Sequence, residues 1–291
     1  MDTINFLIAQ PNFYILLIAA LSLLVGSFLN VVIYRLPQMM KNQWGQECRE
    51  YLGLKPQPLS HSDKLNLCLP MSHCTHCKKK LKPWHNIPVI SYLVLRGKCA
   101  YCHARITLRY PLVELICCIS SVYAAWHFGV SWQALGGLIF TWIAISLTFI
   151  DIDHHLLPDH LTLSLVWFGL FLSLFSVFTS THDAIIGAIA GYIIFAATQG
   201  AFKLITGKIG MGQGDYKFLA GMGALLGWQQ VPIIIILASV IGLIFGVTQM
   251  VIRHQFKSVP IPFGPYLAIA GWISLLWGTD ILNLYLQQVM V

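Results

Sequence analysis

Two groups of residues have the types and spacing that chemistry needs, and the first is a set of four cysteines. They form two Cys-x-x-Cys pairs, Cys74 with Cys77 and Cys99 with Cys102. Each pair places two thiolates on one tight turn, and two pairs supply the four sulfurs that a structural zinc ion prefers. Four unrelated reduced thiols are the alternative, which the paired spacing disfavours. Because a zinc ion with four protein ligands has no open position, we expect it to hold the fold.

The second group is a pair of carboxylates next to apolar sequence. Asp151 follows the uncharged, largely apolar run 143–150, and Asp215 closes the glycine-rich turn 210–215. Two carboxylates brought within a few ångströms share one proton, because both cannot ionise cheaply. The ionised partner then takes a proton from water while the neutral one donates to a scissile carbonyl, which is aspartyl protease chemistry. A helix-breaking turn is the simpler interpretation of the glycines.

Three further acids have structural interpretations. Glu114 after Pro111 complements the positive end of a helix. Asp159 after Pro158 suits a helix N-cap, and Asp153 points away from Asp151 if the helix continues. A metal site made of His154, His155 or His160 with an aspartate is less favoured, because adjacent histidines do not face one point on a helix.

The composition excludes most classes of soluble protein. The 291 residues are 57% hydrophobic and 10% charged, whereas soluble domains carry about 25% charged residues. A disordered chain, a disulfide miniprotein and a fibrous repeat are excluded as well. The sequence therefore predicts an all-α polytopic membrane protein.

Segments of about 20 apolar residues, the length that crosses a bilayer, predict about eight transmembrane helices. The sixth is short and carries three glycines, so it is also compatible with a re-entrant segment. The predicted spans are 12–33, 111–128, 133–150, 160–178, 184–205, 216–231, 232–252 and 263–282.

The distribution of charge predicts the domains and the orientation. Most of the 18 Lys and Arg residues lie in the polar stretch 34–110, and the others lie in or beside the connections 151–160, 206–216 and 253–262. By the positive-inside rule these connections face the cytoplasm and both termini face the periplasm. We predict a first transmembrane helix at 1–33, a cytoplasmic zinc-binding segment at 34–110, and a multi-helix membrane peptidase domain at 111–291. Cytoplasmic cysteines stay reduced, so disulfides are not expected.

Several motifs resemble those of type IV prepilin peptidases, in the same order along nearly the whole chain. Besides the cysteine pairs, the matching segments are Gly26-Ser-Phe-Leu-Asn-Val-Val-Ile-Tyr-Arg-Leu-Pro37, Asn86-Ile-Pro-Val-Ile-Ser91, Leu95-Arg-Gly-Lys-Cys99, Arg109-Tyr-Pro-Leu-Val-Glu114, Asp151-x-Asp-x-x-Leu-Leu-Pro-Asp159 and Gly212-x-Gly-Asp215. The first cysteine pair reads His73-Cys-Thr-His-Cys77 and lacks the Arg and Pro usual around it.

The resemblance implies a bifunctional enzyme of the bacterial inner membrane. It would cleave the basic leader from type IV prepilins and type II secretion pseudopilins at the cytoplasmic face, then N-methylate the new terminal residue with S-adenosylmethionine. The family's aspartate pair falls on Asp151 and Asp215, its zinc ligands on the four cysteines, and its methylation-linked glycine on Gly97. The polar segment is too short for a Rossmann-like methyltransferase.

Two alternatives and a hypothesis about specificity remain open at this point. The alternatives are a metal or proton transporter and a non-catalytic pilus assembly factor. Nothing in the sequence indicates a nucleic-acid partner. Because the net charge of +7 does not favour a basic leader, we expect local acids such as Asp153, Asp159 or Glu114 to recognise it. Neutralising each acid would leave the dependence of cleavage on leader charge unchanged if this hypothesis is wrong.

Overall fold

The computed structural model describes residues 2–55, 65–208, 210–253 and 262–289. Within these ranges the regular elements are ten α-helices and one 3-10 turn, Pro83–Asn86, so the predicted all-α class is confirmed. The chain forms two compact units, residues 1–130 and 131–291.

The first unit is built on two long helices that pack against each other. A Cβ at Gly26 would lie 2.9 Å from the Cα of Glu114 on the partner helix, so only glycine allows this approach. Nearby, Asn30 Nδ2 donates to the carbonyl of Tyr110 at 3.1 Å. The helices of this unit are α1 (Asp2–Ala9), α2 (Pro11–Tyr51), α3 (Ile90–Val94) and α4 (Arg109–Phe128).

Helix α2 is longer than the predicted span 12–33. It has 41 residues and continues through Pro37 to Tyr51. Residue 33 therefore marks a change from apolar to polar sequence and not the end of a helix. The division of the chain at residues 33 and 110 remains a prediction about function.

The second unit is a bundle whose core is formed where three helices meet. Gly271 makes room there for Met222 and Phe140, since a Cβ at Gly271 would lie 2.6 Å from the Met222 sulfur. Both side chains are fully buried. The helices are α5 (Trp132–His154), α6 (Asp159–Ser173), α7 (Thr181–Thr206), α8 (Gln213–Leu226), α9 (Gln230–Arg253) and α10 (Gly264–Val289).

All eight predicted spans coincide with helices, but the count of eight is not confirmed. Six helices in the described ranges are long and apolar enough to cross a membrane: α2, α4, α5, α7, α9 and α10. Helices α6 and α8 have 15 and 14 residues, which correspond to about 20 Å against the roughly 30 Å of a hydrocarbon core. Helix α6 ends at Ser173, short of the predicted 178. Most of the predicted connection 253–262 lies outside the described residues.

Candidate active site and metal centre

Asp151 and Asp215 lie at the ends of two helices of the second unit. Asp151 is in the last turn of α5 and Asp215 is in the first turn of α8. Both are buried, with 6% and 8% of their surface exposed. The structure thus brings together two carboxylates that are far apart in the sequence, and their catalytic role remains a prediction.

Asp151 accepts a hydrogen bond from the start of another helix. The backbone N–H of Gly264, the first residue of α10, donates to Asp151 Oδ2 at 2.9 Å in a buried environment. A Cβ at Gly264 would lie 2.7 Å from the same oxygen, so a side chain there would push the carboxylate away. A hydrogen bond from a helix N-terminus favours the ionised form of a carboxylate.

Within the described structure, Asp215 has no such donor at one of its carboxylate oxygens. Its Oδ1 atom is buried and has no hydrogen-bond partner among the described residues. Asp215 lies outside the six candidate membrane spans. Burial, and next the nearby Asp151 carboxylate, raise the pKa of Asp215 to about 7. The Gly264 N–H thus favours the ionised form of Asp151 over that of Asp215, which holds its proton more readily.

Leu157 contacts the backbone beside both carboxylates. A Cβ at Gly214, the residue before Asp215, would lie 2.6 Å from Leu157 Cβ. A Cβ at Gly264 would lie 3.1 Å from Leu157 Cδ2. The two glycines thus allow the turn of Asp215 and the start of α10 to close on one leucine, which sets the spacing of the site.

Gln199 on α7 holds the glycine-rich turn. Its Oε1 atom accepts the N–H groups of Gly210 and Met211, each at 3.0 Å. The turn leads directly into α8 and Asp215. Sequence reasoning missed both Gln199 and Gly264. The Gly264-Pro265 pair at the start of the last span was the available signal for Gly264, because glycine and proline favour helix starts.

Helix α8 packs closely against its neighbours α6 and α7, and glycines at the contacts allow this close approach. A Cβ at Gly187 of α7 would overlap the Gly223 carbonyl oxygen, and one at Gly191 would lie 2.8 Å from that of Leu219. On the other side, a Cβ at Gly169 of α6 would lie 2.7 Å from the Leu225 nitrogen. This close packing fixes the short helix, and therefore the backbone that carries Asp215.

The four cysteine sulfurs converge in the first unit. The Sγ atoms of Cys74, Cys77, Cys99 and Cys102 all lie within 4.8 Å of one another. The sulfurs of Cys74 and Cys102 are 3.8 Å apart. Four sulfurs that each lie about 2.3 Å from a tetrahedral zinc are separated by about 3.8 Å. The geometry and the softness of four thiolates therefore suit a zinc ion.

The two cysteine pairs lie on turns of the same construction. In each, the first cysteine donates its N–H to the carbonyl five residues later, and its own carbonyl accepts the N–H four residues later. The residue after the second cysteine has a left-handed φ, and an isolated β-bridge closes the turn. The partners are Lys79 and Lys78 for Cys74, Ala104 and His103 for Cys99, with bridges His73–Lys80 and Lys98–Arg105. The same shift of 25 residues relates all these positions, and it is a sequence signal for the repeat.

Gly97 lies at the base of the second turn. Its φ is +68°, its N–H donates to the Tyr92 carbonyl at 2.9 Å, and its carbonyl accepts the Ile106 N–H at 2.8 Å. A Cβ at Gly97 would lie 2.7 Å from the Tyr92 hydroxyl oxygen. Both the backbone conformation and the space therefore require glycine.

The other acids are placed differently from one another. Glu114 is buried and accepts the Val89 N–H at 2.8 Å. Asp159 is the first residue of α6 and pairs with Lys217 at 2.7 Å. Asp153 is exposed near the end of α5. Asp153 and Asp159 are therefore accessible to a charged ligand, whereas Glu114 is engaged inside the first unit.

The helices and the buried carboxylate pair define a polytopic membrane protein with the residues that an aspartyl peptidase requires. Residues 20–128 match the family model of the bacterial peptidase A24 N-terminal domain. Residues 138–247 match the model of the type IV leader peptidase family.

Relatives cover the chain from end to end. The prepilin leader peptidase/N-methyltransferase of Stutzerimonas stutzeri is 50% identical over 287 residues, which are 99% of each chain. The protein of the same name from Pseudomonas aeruginosa is 50% identical over 99% of this chain and 98% of its own. That from Neisseria gonorrhoeae is 46% identical over 90% of each. No solved structure gives a significant match. This chain belongs to the type IV leader peptidase family.

Proposed function

We propose that this chain cleaves the basic leader from type IV prepilins and type II secretion pseudopilins, then N-methylates the new N-terminal residue. Support comes from relatives named for both activities over the full length. We place the protein in the bacterial inner membrane, with the carboxylate pair facing the cytoplasm and both termini in the periplasm. The positive charge of the connections supports this orientation.

The observation that carries the peptidase proposal is the asymmetry of the buried carboxylates. The Gly264 N–H donates to Asp151 and favours its ionised form over that of Asp215. Asp215 has an oxygen without a partner in the described structure and a pKa of about 7. We therefore assign Asp151 as the general base and Asp215 as the general acid.

The cleavage step follows from these roles. Asp151 takes a proton from water as the water oxygen attacks the scissile carbonyl carbon. Asp215 gives its proton to the carbonyl oxygen, which forms a neutral tetrahedral intermediate. When the C–N bond breaks, Asp151 gives its proton to the departing amine nitrogen while a hydroxyl of the intermediate returns its proton to Asp215. The new carboxyl group is thereby formed, and the pair is restored with Asp151 ionised and Asp215 protonated. The step needs no covalent intermediate with the enzyme.

The substrate class fits the position of the site. A prepilin carries an apolar helix that enters the bilayer and a basic leader that stays in the cytosol. The bond between them comes to rest at the membrane surface. Both carboxylates lie at the ends of apolar helices, where such a bond is accessible.

We propose that the four cysteines hold a structural zinc ion, which joins the two equivalent turns of the segment 34–110. Residues 111–291 then form the membrane peptidase domain. The zinc supplies a rigid cross-link in a region with little regular secondary structure. We infer that it takes no part in cleavage, because all four positions are filled by protein.

S-adenosylmethionine is the proposed methyl donor, on the strength of the relatives' names. The Tyr92 ring fills the space beside Gly97, so that side of Gly97 does not fit a donor pocket. We propose that Gly97 supports methylation by holding the shape of the second cysteine turn.

The peptidase proposal is tested with the full chain in detergent and a synthetic prepilin-like peptide. Asp151→Asn and Asp215→Asn should each lower the rate of cleavage by at least about a thousandfold, because each removes one half of the proton exchange. Asp280→Asn is the matched control, since Asp280 is an exposed acid on α10 of the same unit. Size-exclusion profiles establish that the variants stay folded. Cleavage retained by either Asn variant would remove the carboxylate assignment.

A further inference from the structure

The short helix α3 of the first unit has its amphipathicity inverted. Its apolar residues point outward, with Leu93 68% and Val94 74% exposed. Its polar Ser91 is only 8% exposed and donates its hydroxyl to the Trp84 carbonyl at 2.6 Å. In water this arrangement exposes apolar side chains unfavourably, whereas against lipid the same side chains make favourable contacts.

Exposed apolar side chains occur on α3 and on the residues that precede it, and we call this set the α3 face. It includes an aromatic residue of the kind that favours membrane interfaces. The members of the face are Trp84, Ile87, Ile90, Leu93 and Val94.

A contact with α4 fixes the depth of this face. The 20 residues of α4 measure about 30 Å, the thickness of a hydrocarbon core, so Arg109 at its start lies near the headgroups. Glu114 lies about 7 Å deeper along the helix. Because Glu114 accepts the Val89 N–H at 2.8 Å, the start of α3 is held at that depth. Interfacial helices bury their apolar side by about 5–10 Å.

The exposed charges of the segment that carries the α3 face are all positive, since Glu114 is buried. No acidic residue occurs between residues 64 and 113, whereas Lys and Arg are frequent there. Lys82 lies over the Trp84 ring, 5.2 Å from its centroid. Lys98 and Arg105 are exposed and joined by a β-bridge. Such a surface is complementary to anionic phospholipid headgroups.

We propose that the α3 face inserts into the headgroup region of the bilayer and that Lys98 and Arg105 bind anionic phospholipid beside it. The cysteine turns are thereby held against the membrane surface. This inference rests on the assignment of α4 as a span and not on the peptidase chemistry.

Photocrosslinking of the full chain in nanodiscs tests the proposal. A benzophenone-bearing amino acid is placed at position 93, in nanodiscs of phosphatidylcholine and phosphatidylglycerol. Position 119 on α4 is the lipid-facing control, and position 71 in the polar segment is the control for an isolated exposed apolar residue, since Ile119 and Met71 are 66% and 64% exposed. We expect lipid adducts at 93 and 119 and none at 71.

The identity of the captured lipid tests the basic pair. Phosphatidylglycerol should be enriched among the adducts at 93 relative to those at 119, and Lys98→Gln with Arg105→Gln should lower that enrichment by about fivefold or more. Protein crosslinks at 93 in place of lipid adducts would overturn the inserted face. Lipid adducts at 93 without enrichment would overturn the role of Lys98 and Arg105. Neither result depends on cleavage activity.

Discussion

The cysteine cluster and the carboxylate pair bring distant residues together by different means. Each cysteine turn is local, because its backbone hydrogen bonds join residues no more than nine positions apart. The carboxylates come from separate helices, and Asp151 binds the N–H of a residue 113 positions later. The cysteine site depends on two turns and on the zinc ion that is proposed to join them. The second depends on the packing of a whole bundle.

This difference indicates which change would disrupt each site. The described part of the cysteine region has no large core of its own, so the proposed zinc cross-link would supply much of its stability. The carboxylates are held by buried helices and glycine contacts that need no metal. The largest expected effect is therefore the loss of the cysteine region when its metal is removed.

Metal removal should unfold the cysteine turns, since structural zinc contributes roughly 10 kcal/mol or more to small sites. A chelator, or Cys99→Ser, should open residues 65–108 to limited proteolysis while the helical circular dichroism signal changes little. Cys68→Ser is the matched control, because Cys68 is an exposed cysteine outside the cluster. Equal proteolysis with and without chelator would show that the turns do not depend on a metal.

The carboxylate site should respond to pH where the cysteine region does not. Asp215 has a pKa raised to about 7 and must carry a proton to act as the acid. Its protonated fraction falls as pH rises through this pKa, so the cleavage rate should drop about tenfold per pH unit above 7, or about a hundredfold by pH 9.

The pH profile is measured as kcat/KM on the peptide substrate. Asp280→Asn, which alters an exposed acid, should leave the falling limb in place. A rate that stays level or rises above neutral pH would assign the proton to another group.

The same contrast explains what could be predicted from the sequence. The cysteine site was predictable because spacing within a turn fixes its geometry. The carboxylates were predictable as candidates because acids beside apolar runs are unusual. The Gly264-Pro265 pair signals a helix start, but the contacts of Gly264 and Gln199 with the site were not predictable, because no local pattern records a tertiary contact.

The fold shows the same limits. The apolar segments located eight of the ten described helices, α2 and α4 to α10, but did not predict their lengths. Helix α2 continues beyond its apolar part to Tyr51, whereas α6 ends at Ser173 although apolar residues follow. The hydrophobicity of a segment indicates which residues contact lipid or the protein core, whereas the ends of a helix depend on backbone contacts.

Gln199 provides a smaller test of the carboxylate site. Gln199→Leu removes the acceptor of two N–H groups in the glycine-rich turn. At about 1 kcal/mol for each hydrogen bond, kcat should fall by about thirtyfold. Gln199→Glu keeps an acceptor oxygen and should restore most of the rate.

Gln133→Leu is the control for this test, because Gln133 likewise bonds the backbone of the second unit: its Nε2 donates to the Val177 carbonyl. Its rate should stay near that of the wild type. If Gln199→Leu has the wild-type rate as well, the turn keeps its shape without the glutamine.

The smallest expected effect is at Gly97, in the cysteine region. Gly97→Ala places a side chain at a φ of +68°, which costs about 1–2 kcal/mol, and adds a contact with the Tyr92 hydroxyl. Zinc should therefore bind at least about fivefold more weakly, as measured by competition with a colorimetric chelator. Adding Tyr92→Phe should recover part of the loss, because it removes the nearest contacting atom, the hydroxyl oxygen. Gly53→Ala is the control that separates the effect of backbone strain from the effect of a position in the cysteine turns. Gly53 has a φ of +65°, has open space around it and lies outside the cysteine turns. Zinc affinity lowered equally by both glycine variants would mean that the effect is general to the first unit, whereas a loss confined to Gly97→Ala ties this glycine to the geometry of the sulfur cluster.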